Sequence, residues 1–109
     1  MLFALKRNYR EIKWFFQRLF RGWSDNESWD LYYWICKRYL PVLKRLRFYH
    51  SGYPTHLTPK KWNEILDKII YSFEMIGEDD FTKTCNPKTQ KKIQEGCELF
   101  GKYFQNLWD

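Results

Sequence analysis

The chain has 109 residues, 44% hydrophobic and 21% aromatic, with six Trp, eight Tyr and nine Phe. That length allows one domain with one core and excludes two, and so many rings exclude disorder. Net charge is +6, with +5 over residues 1–22 and −3 over residues 59–81; this suits an anionic partner or plain solubility, and no apolar run reaches the ~18–20 residues that span a bilayer.

The opening MLFALKRNYR breaks its apolar residues with charge too early for a secretory signal. Cys36, Cys85 and Cys97 are odd in number and unpaired in spacing, so free thiols in a reducing, cytoplasmic setting are expected. Leu2, Leu5, Tyr9, Ile12, Phe16 and Leu19 recur every three or four residues and predict one helical face. Trp14, Phe15 and Phe20 widen that stripe, while Lys6, Arg7, Arg10, Lys13 and Arg21 fall off it and Gly22 supplies a stop. Such a helix either packs in a bundle with its charges solvated or lies on a membrane surface. The bundle is the expectation here.

Residues 21–34, RGWSDNESWDLYYW, crowd three Trp and two Tyr around a turn. Ser24 and Glu27 have the S-x-x-E form of a capping box, in which each side chain satisfies the other's amide. Asp25 and Glu27 suit the positive end of a helix dipole. A second helix is predicted from about residue 25 to 47 with two apolar stripes: Trp29, Tyr33, Cys36, Leu40, Leu43, and Leu31, Ile35, Tyr39, Val42, Leu46. Two stripes imply contacts on two sides. The remaining narrow face carries Trp34, Lys37, Arg38, Pro41, Lys44 and Arg45, and Pro41 should kink the helix.

FYHSGYPTHL, residues 48–57, reads as a loop. Thr58 as N-cap, Pro59 at the first position and Leu57 as a staple onto Trp62 open a third helix. Trp62, Ile65, Leu66, Ile69, Ile70, Phe73 and Ile76 form its apolar face, and Gly77 is expected to end it. GEDDFTKTC then reads as an acidic connection, and Asn86-Pro87 starts a fourth helix through Ile93, Cys97, Phe100, Phe104 and Leu107. Gly96 and Gly101 inside that helix each cost ~1 kcal/mol against Ala, a loss that close helix approach, or a partner or ligand reaching the backbone, would offset. Trp108 should dock on the bundle or on another subunit. The expected fold is therefore all-α: a compact bundle of about four helices in a single domain, residues 1–109.

No G-x-S-x-G, P-loop, H-E-x-x-H or C-x-x-C occurs. His50 and His56, six apart on a loop, fit no common zinc spacing. Glu78, Asp79 and Asp80 read as solvated loop, and Glu64 and Asp67 beside Lys68 as an ion-paired face. Cys36 and Cys97 lie on apolar stripes, leaving Cys85 as the exposed thiol. A non-enzyme without metal or cofactor is expected.

Four stretches, RGWSDNESWDL, YLPVLKRLR, GYPTHLTPKKWNEILDKIIYSFE and QEGCELFGKYFQNLWD, together resemble a set of small tailed-phage and prophage proteins. The shared marks are a Gly-aromatic-Ser-Asp turn before a Trp, a Leu-Pro helix, a Gly-Tyr-Pro loop before a Trp-containing helix, and a closing Leu-Trp. The likeness covers roughly residues 21–76 and 93–109. It implies a viral protein acting in the cytoplasm of an infected bacterium, and it carries no catalytic residues.

In that context the leading expectation is a counter-defence sponge that sequesters an anionic nucleotide immune signal, with cations for phosphate and rings for bases. Arg18, Arg21 and Trp23 at the first junction, and Trp34, Lys37, Arg38 and Arg45 on helix two, are the candidate ligand-binding residues; Ser24, Glu27 and Thr58 are structural caps. A homo-oligomer is expected, because so small a bundle has little room to enclose a nucleotide alone. The alternative is a protein-binding inhibitor of a host defence factor, or a phage accessory protein, whose exposed Arg and Trp form an interface. Nucleic acid is less favoured, since the −3 stretch offsets the positive charge and no reader motif occurs.

Overall fold

The protein is described by a computed structural model covering residues 2–108, with side chains from Arg7 onward. It is all-α, as expected, and the described residues contain no strand. In order they form α1 (Leu2–Arg21), a 3-10 turn (Asp25–Ser28), α2 (Leu31–Tyr49), α3 (Pro59–Glu78), α4 (Phe81–Thr84), α5 (Pro87–Lys102) and a closing 3-10 turn (Phe104–Asn106). The chain divides into two compact units, Met1–Leu31 and Tyr32–Asp109.

In the first unit α1 stops as expected: Gly22 turns to φ +87 while its amide still donates to the Arg18 carbonyl at 3.0 Å. A side chain would be strained there, which is why glycine serves. Two expectations fail here. The capping box forms, but it opens a single 3-10 turn, and α2 begins only at Leu31. Glu27 pulls on the Ser24 amide and Asn26 on the Ser24 hydroxyl, holding the backbone to i→i−3 bonds at Glu27 and Trp29. The predicted α1 seam is also not core: Tyr9, Ile12, Phe16 and Leu19 are all exposed. Leu2 and Leu5, the first members of that stripe, lie outside the described side chains.

In the second unit the core lies where α2, α3 and α5 meet. Cys36 and Leu43 from α2 pack with Ile69 and Phe73 from α3, joined by Leu99 and Phe100 from α5. Next to this, Trp62 and Leu66 pack with Tyr103, with Leu57 against them as the predicted staple. The α3 start follows its local chemistry: the Thr58 hydroxyl accepts from the Lys61 amide at 3.2 Å, and Pro59 takes the first position. Three exposed ion pairs tie the helices: Arg47–Asp67 at 2.8 Å, Lys44–Glu74 at 3.0 Å and Lys68–Glu95 at 2.8 Å. Each contributes less than about 1 kcal/mol.

Helices α3 and α5 cross at one small-residue junction. A Cβ on Gly96 would stand 1.8 Å from Ser72 Oγ and 2.5 Å from the Lys68 carbonyl oxygen. The buried Ser72 hydroxyl uses that proximity to donate to the Ile93 carbonyl at 2.8 Å. The offset expected for Gly96 is thus present. Gly101 has open space around it and gains nothing comparable.

Two further expectations need correction in this unit. Helix α3 runs through Gly77 and ends at Glu78, with Asp79 in the left-handed region at φ 50. Gly77 instead lies under the α2 backbone, where its Cβ would meet Lys37 Cα at 3.9 Å. The acidic connection holds one helical turn, α4, because Asp80 Oδ1 accepts from the Thr82 amide at 3.0 Å and the Thr82 hydroxyl at 2.6 Å. Asn86 then caps α5 through the Lys88 amide at 2.8 Å, as predicted. Trp108, expected on the bundle or on another subunit, is 66% exposed within this chain and lines a cleft with residues 52–56, while Leu107 fills the core position before it.

Candidate functional site

The seven predicted ligand-binding residues fall in two groups, one in each unit. In the first, Arg21 lies 3.7 Å over the Trp23 ring, its Nε donates to the Trp23 carbonyl at 2.9 Å, and its Nη2 pairs with Asp25. Arg18 Nη1 donates to the Ser24 hydroxyl at 3.3 Å. Gln17 completes a clamp on Asp25, donating to Oδ2 at 2.8 Å and accepting from the Asp25 amide at 2.9 Å. The hydrogen bond from Arg21, then that from Gln17, hold the Asp25 carboxyl below its ordinary range. These arginines therefore already hold the turn to α1, and the Asp25 charge offsets that of Arg21.

Ser24 is fully buried at the centre of this clamp, and Glu27 Oε2 accepts from its amide at 2.7 Å and its hydroxyl at 3.2 Å. Ser24→Ala removes the hydroxyl on which Arg18 and Asn26 converge. The expected cost is ~1–2 kcal/mol. It should be read as roughly tenfold faster amide hydrogen exchange over residues 24–29 with exchange in α3 unchanged.

In the second group, Trp34, Lys37, Arg38 and Arg45 share one side of α2, as the spacing predicts. Lys37 Nζ donates to the Tyr33 hydroxyl at 2.9 Å and sits 5.3 Å from that ring. Arg45 lies 5.0 Å over Tyr49, and Trp34 meets Tyr33 edge-on at 5.6 Å. Lys44, from the same predicted face, turns to Glu74. This face thus offers cation–ring pairs at the surface, each worth about 0.5–1 kcal/mol when exposed.

The feature that sequence reasoning missed is a groove of about 500 Å³ between α2, α3 and α5. Its α2 wall is Ile35, Tyr39, Val42 and Leu46, the second predicted stripe; Phe73 and Phe100 form its floor, and Phe104 stands on the far side. The stripe was expected to meet a neighbour, but Val42 is 58% exposed, and Tyr39 and Phe104 are exposed with it. Among the described residues, no charged side chain lines the groove. Arg38 and Arg45 fall about 40–60° round α2 from Val42, outside the groove's lining. The signal was present as a second apolar stripe; periodicity could not tell a covered stripe from an open one.

The thiols are free; Cys36 is buried and Cys85 exposed as predicted, whereas Cys97, expected in the core with Cys36, is only partly buried. Burial, with a smaller contribution from Cys97, pushes the Cys36 thiol up to about 11. His50 pins the loop, with Nδ1 3.1 Å from the Gly52 carbonyl and Nε2 2.6 Å from Asn63 Oδ1, and His56 stacks on Tyr103. Among the described residues, no three His, Cys, Asp or Glu side chains come together in a metal-ligating group. Compared with protein-family models, curated proteins and solved structures, the chain finds no match.

Proposed function

We propose that this chain is a non-enzymatic protein that binds a partner protein stoichiometrically, its α2–α3–α5 groove receiving an acidic amphipathic helix. The observation that carries this reading is the open groove itself, walled by rings and aliphatic side chains. Helix-in-groove recognition uses such a surface, with apolar anchors at i, i+3, i+4 and i+7. Charge complementarity sets the partner's chemistry, since residues 32–109 carry thirteen Lys/Arg against nine Asp/Glu, net +4. A bend of α2 at Pro41 belongs to the same proposal, because it would set the width of the groove's mouth. Taken with the resemblance to tailed-phage proteins, the reading becomes a phage-encoded inhibitor of a bacterial host factor, a defence component foremost.

A photo-crosslinking residue placed at Val42 in bacterial cells, with one at Lys60 as control, tests it. The expected result is a discrete adduct from Val42 alone that maps to a helix of one protein. The purified partner should then bind one to one, and Val42→Glu should weaken it about a hundredfold, ~2.8 kcal/mol. No adduct at Val42, or equal affinity for Val42→Glu, overturns the proposal.

The second reading is sequestration of an anionic nucleotide by a homo-oligomer. The stack of Arg21 on Trp23 favours it, as do Lys37, Arg38, Arg45 and Trp34 along α2. It ranks second because Asp25 already pairs with Arg21. A thermal shift with a cyclic dinucleotide, lost in Arg38→Glu with helix content unchanged, would put it first.

A further inference from the structure

Helix α1 has two arcs. At 100° per residue, Phe15, Leu19, Ile12, Phe16, Tyr9 and Phe20 fall in one arc that also holds Asn8, and Lys13, Gln17, Arg10, Arg21, Trp14, Arg7, Arg18 and Glu11 fall in the other. The surrounding unit uses the polar arc. Gln17, Arg18 and Arg21 hold the 25–28 turn, and Trp14 meets Trp29 edge-on at 5.4 Å. The apolar arc is left exposed, from 49% at Phe16 to 82% at Phe20. Its rings touch one another, Phe15 against Phe16 at 5.6 Å and Phe16 stacked on Phe20 at 6.1 Å, forming a continuous strip.

Charge points to what covers this strip. Residues 2–21 hold six Lys/Arg against one Glu, net +5. From Ile12 to Phe20 the strip carries no polar side chain to fix a protein partner's register, the Asn8 amide and the Tyr9 hydroxyl standing at its N-terminal end, whereas a lipid interface asks for none. No helix among the described residues is long and apolar enough to cross a membrane, so the geometry is that of a helix lying along a surface. We propose that α1 lies in the plane of an anionic bilayer surface, with the Ile12–Phe16–Leu19 face in the acyl boundary and Arg7, Arg10 and Lys13 toward headgroup phosphates. The sequence alone favoured bundle packing for this helix; the 25–28 turn on its polar arc and the bare apolar arc reverse that preference. The inference is independent of the groove.

Flotation of the full chain tests it, using vesicles of phosphatidylcholine alone and of phosphatidylcholine mixed with phosphatidylglycerol. The protein should float with the anionic vesicles, stay behind with the neutral ones, and be released by added salt. Leu19→Glu and Arg10→Glu should each lower partition about tenfold or more. Both positions are exposed, so unchanged circular dichroism will show that the variants fold. Absence from anionic vesicles, or equal flotation of Leu19→Glu, overturns the proposal. So does a dimer in lipid-free sedimentation that Leu19→Glu dissociates, because a second copy would then cover the face.

Discussion

Gly96→Ala is expected to destabilise the protein by about 2–4 kcal/mol, although alanine is the better helix former by about 1 kcal/mol. The added methyl would fall 1.8 Å from Ser72 Oγ and 2.5 Å from the Lys68 carbonyl oxygen. A serine can rotate, at the loss of its bond to the Ile93 carbonyl. The Lys68 carbonyl is helix backbone and moves only if α3 and α5 separate. Gly101→Ala is the internal control: with nothing within 4 Å, it should stabilise by about 0.5–1 kcal/mol. Urea denaturation of the two variants should shift the midpoint in opposite directions; a shared direction would mean that helix propensity outweighs the crossing.

Trp62→Ala should cost about 3–5 kcal/mol. The indole is fully buried against Leu66 and Tyr103, with Leu57 and Leu46 around it, and it is the largest side chain wholly enclosed. For a domain with roughly 5–15 kcal/mol in all, that loss leaves a sizeable unfolded fraction at ordinary temperature. Trp62→Phe separates packing from polarity. Trp62 Nε1 has no hydrogen-bond partner among the described residues, and an unmet buried donor costs about 1–3 kcal/mol. Phenylalanine gives up part of the packing and removes that penalty, so a net change within about 1 kcal/mol is expected. Equal losses for the two variants in thermal unfolding would show that Nε1 is satisfied in solution.

How far the sequence could be read follows from the range over which each force acts. The stops and starts at Gly22, Thr58-Pro59 and Asn86-Pro87 were legible because a cap is decided within four residues. Apolar identity at Cys36, Leu43, Trp62, Leu66, Ile69 and Phe73 was legible from period, and all six are buried. Leu19 and Val42 carried the same period and stand in the open. Spacing says which residues share a side, and only the tertiary arrangement says whether that side is met. Gly77 misled for a similar reason, since a glycine that admits a neighbouring backbone looks in sequence like one that ends a helix. Within the candidate site, the shared side of Trp34, Lys37, Arg38 and Arg45 was legible, whereas the capture of Arg21 by Asp25 depended on how the 25–28 turn closes.

The crossing at Gly96 also acts as a fulcrum. Phe100 stands one turn beyond it on α5 and Phe104 in the 3-10 turn that follows, so a small tilt of α5 about that point is carried to the wall opposite Val42. A side chain too large by one carbon, placed well away from the opening, would alter the gape offered to an incoming helix. Selection on which partner fits could therefore act at a position that no partner touches.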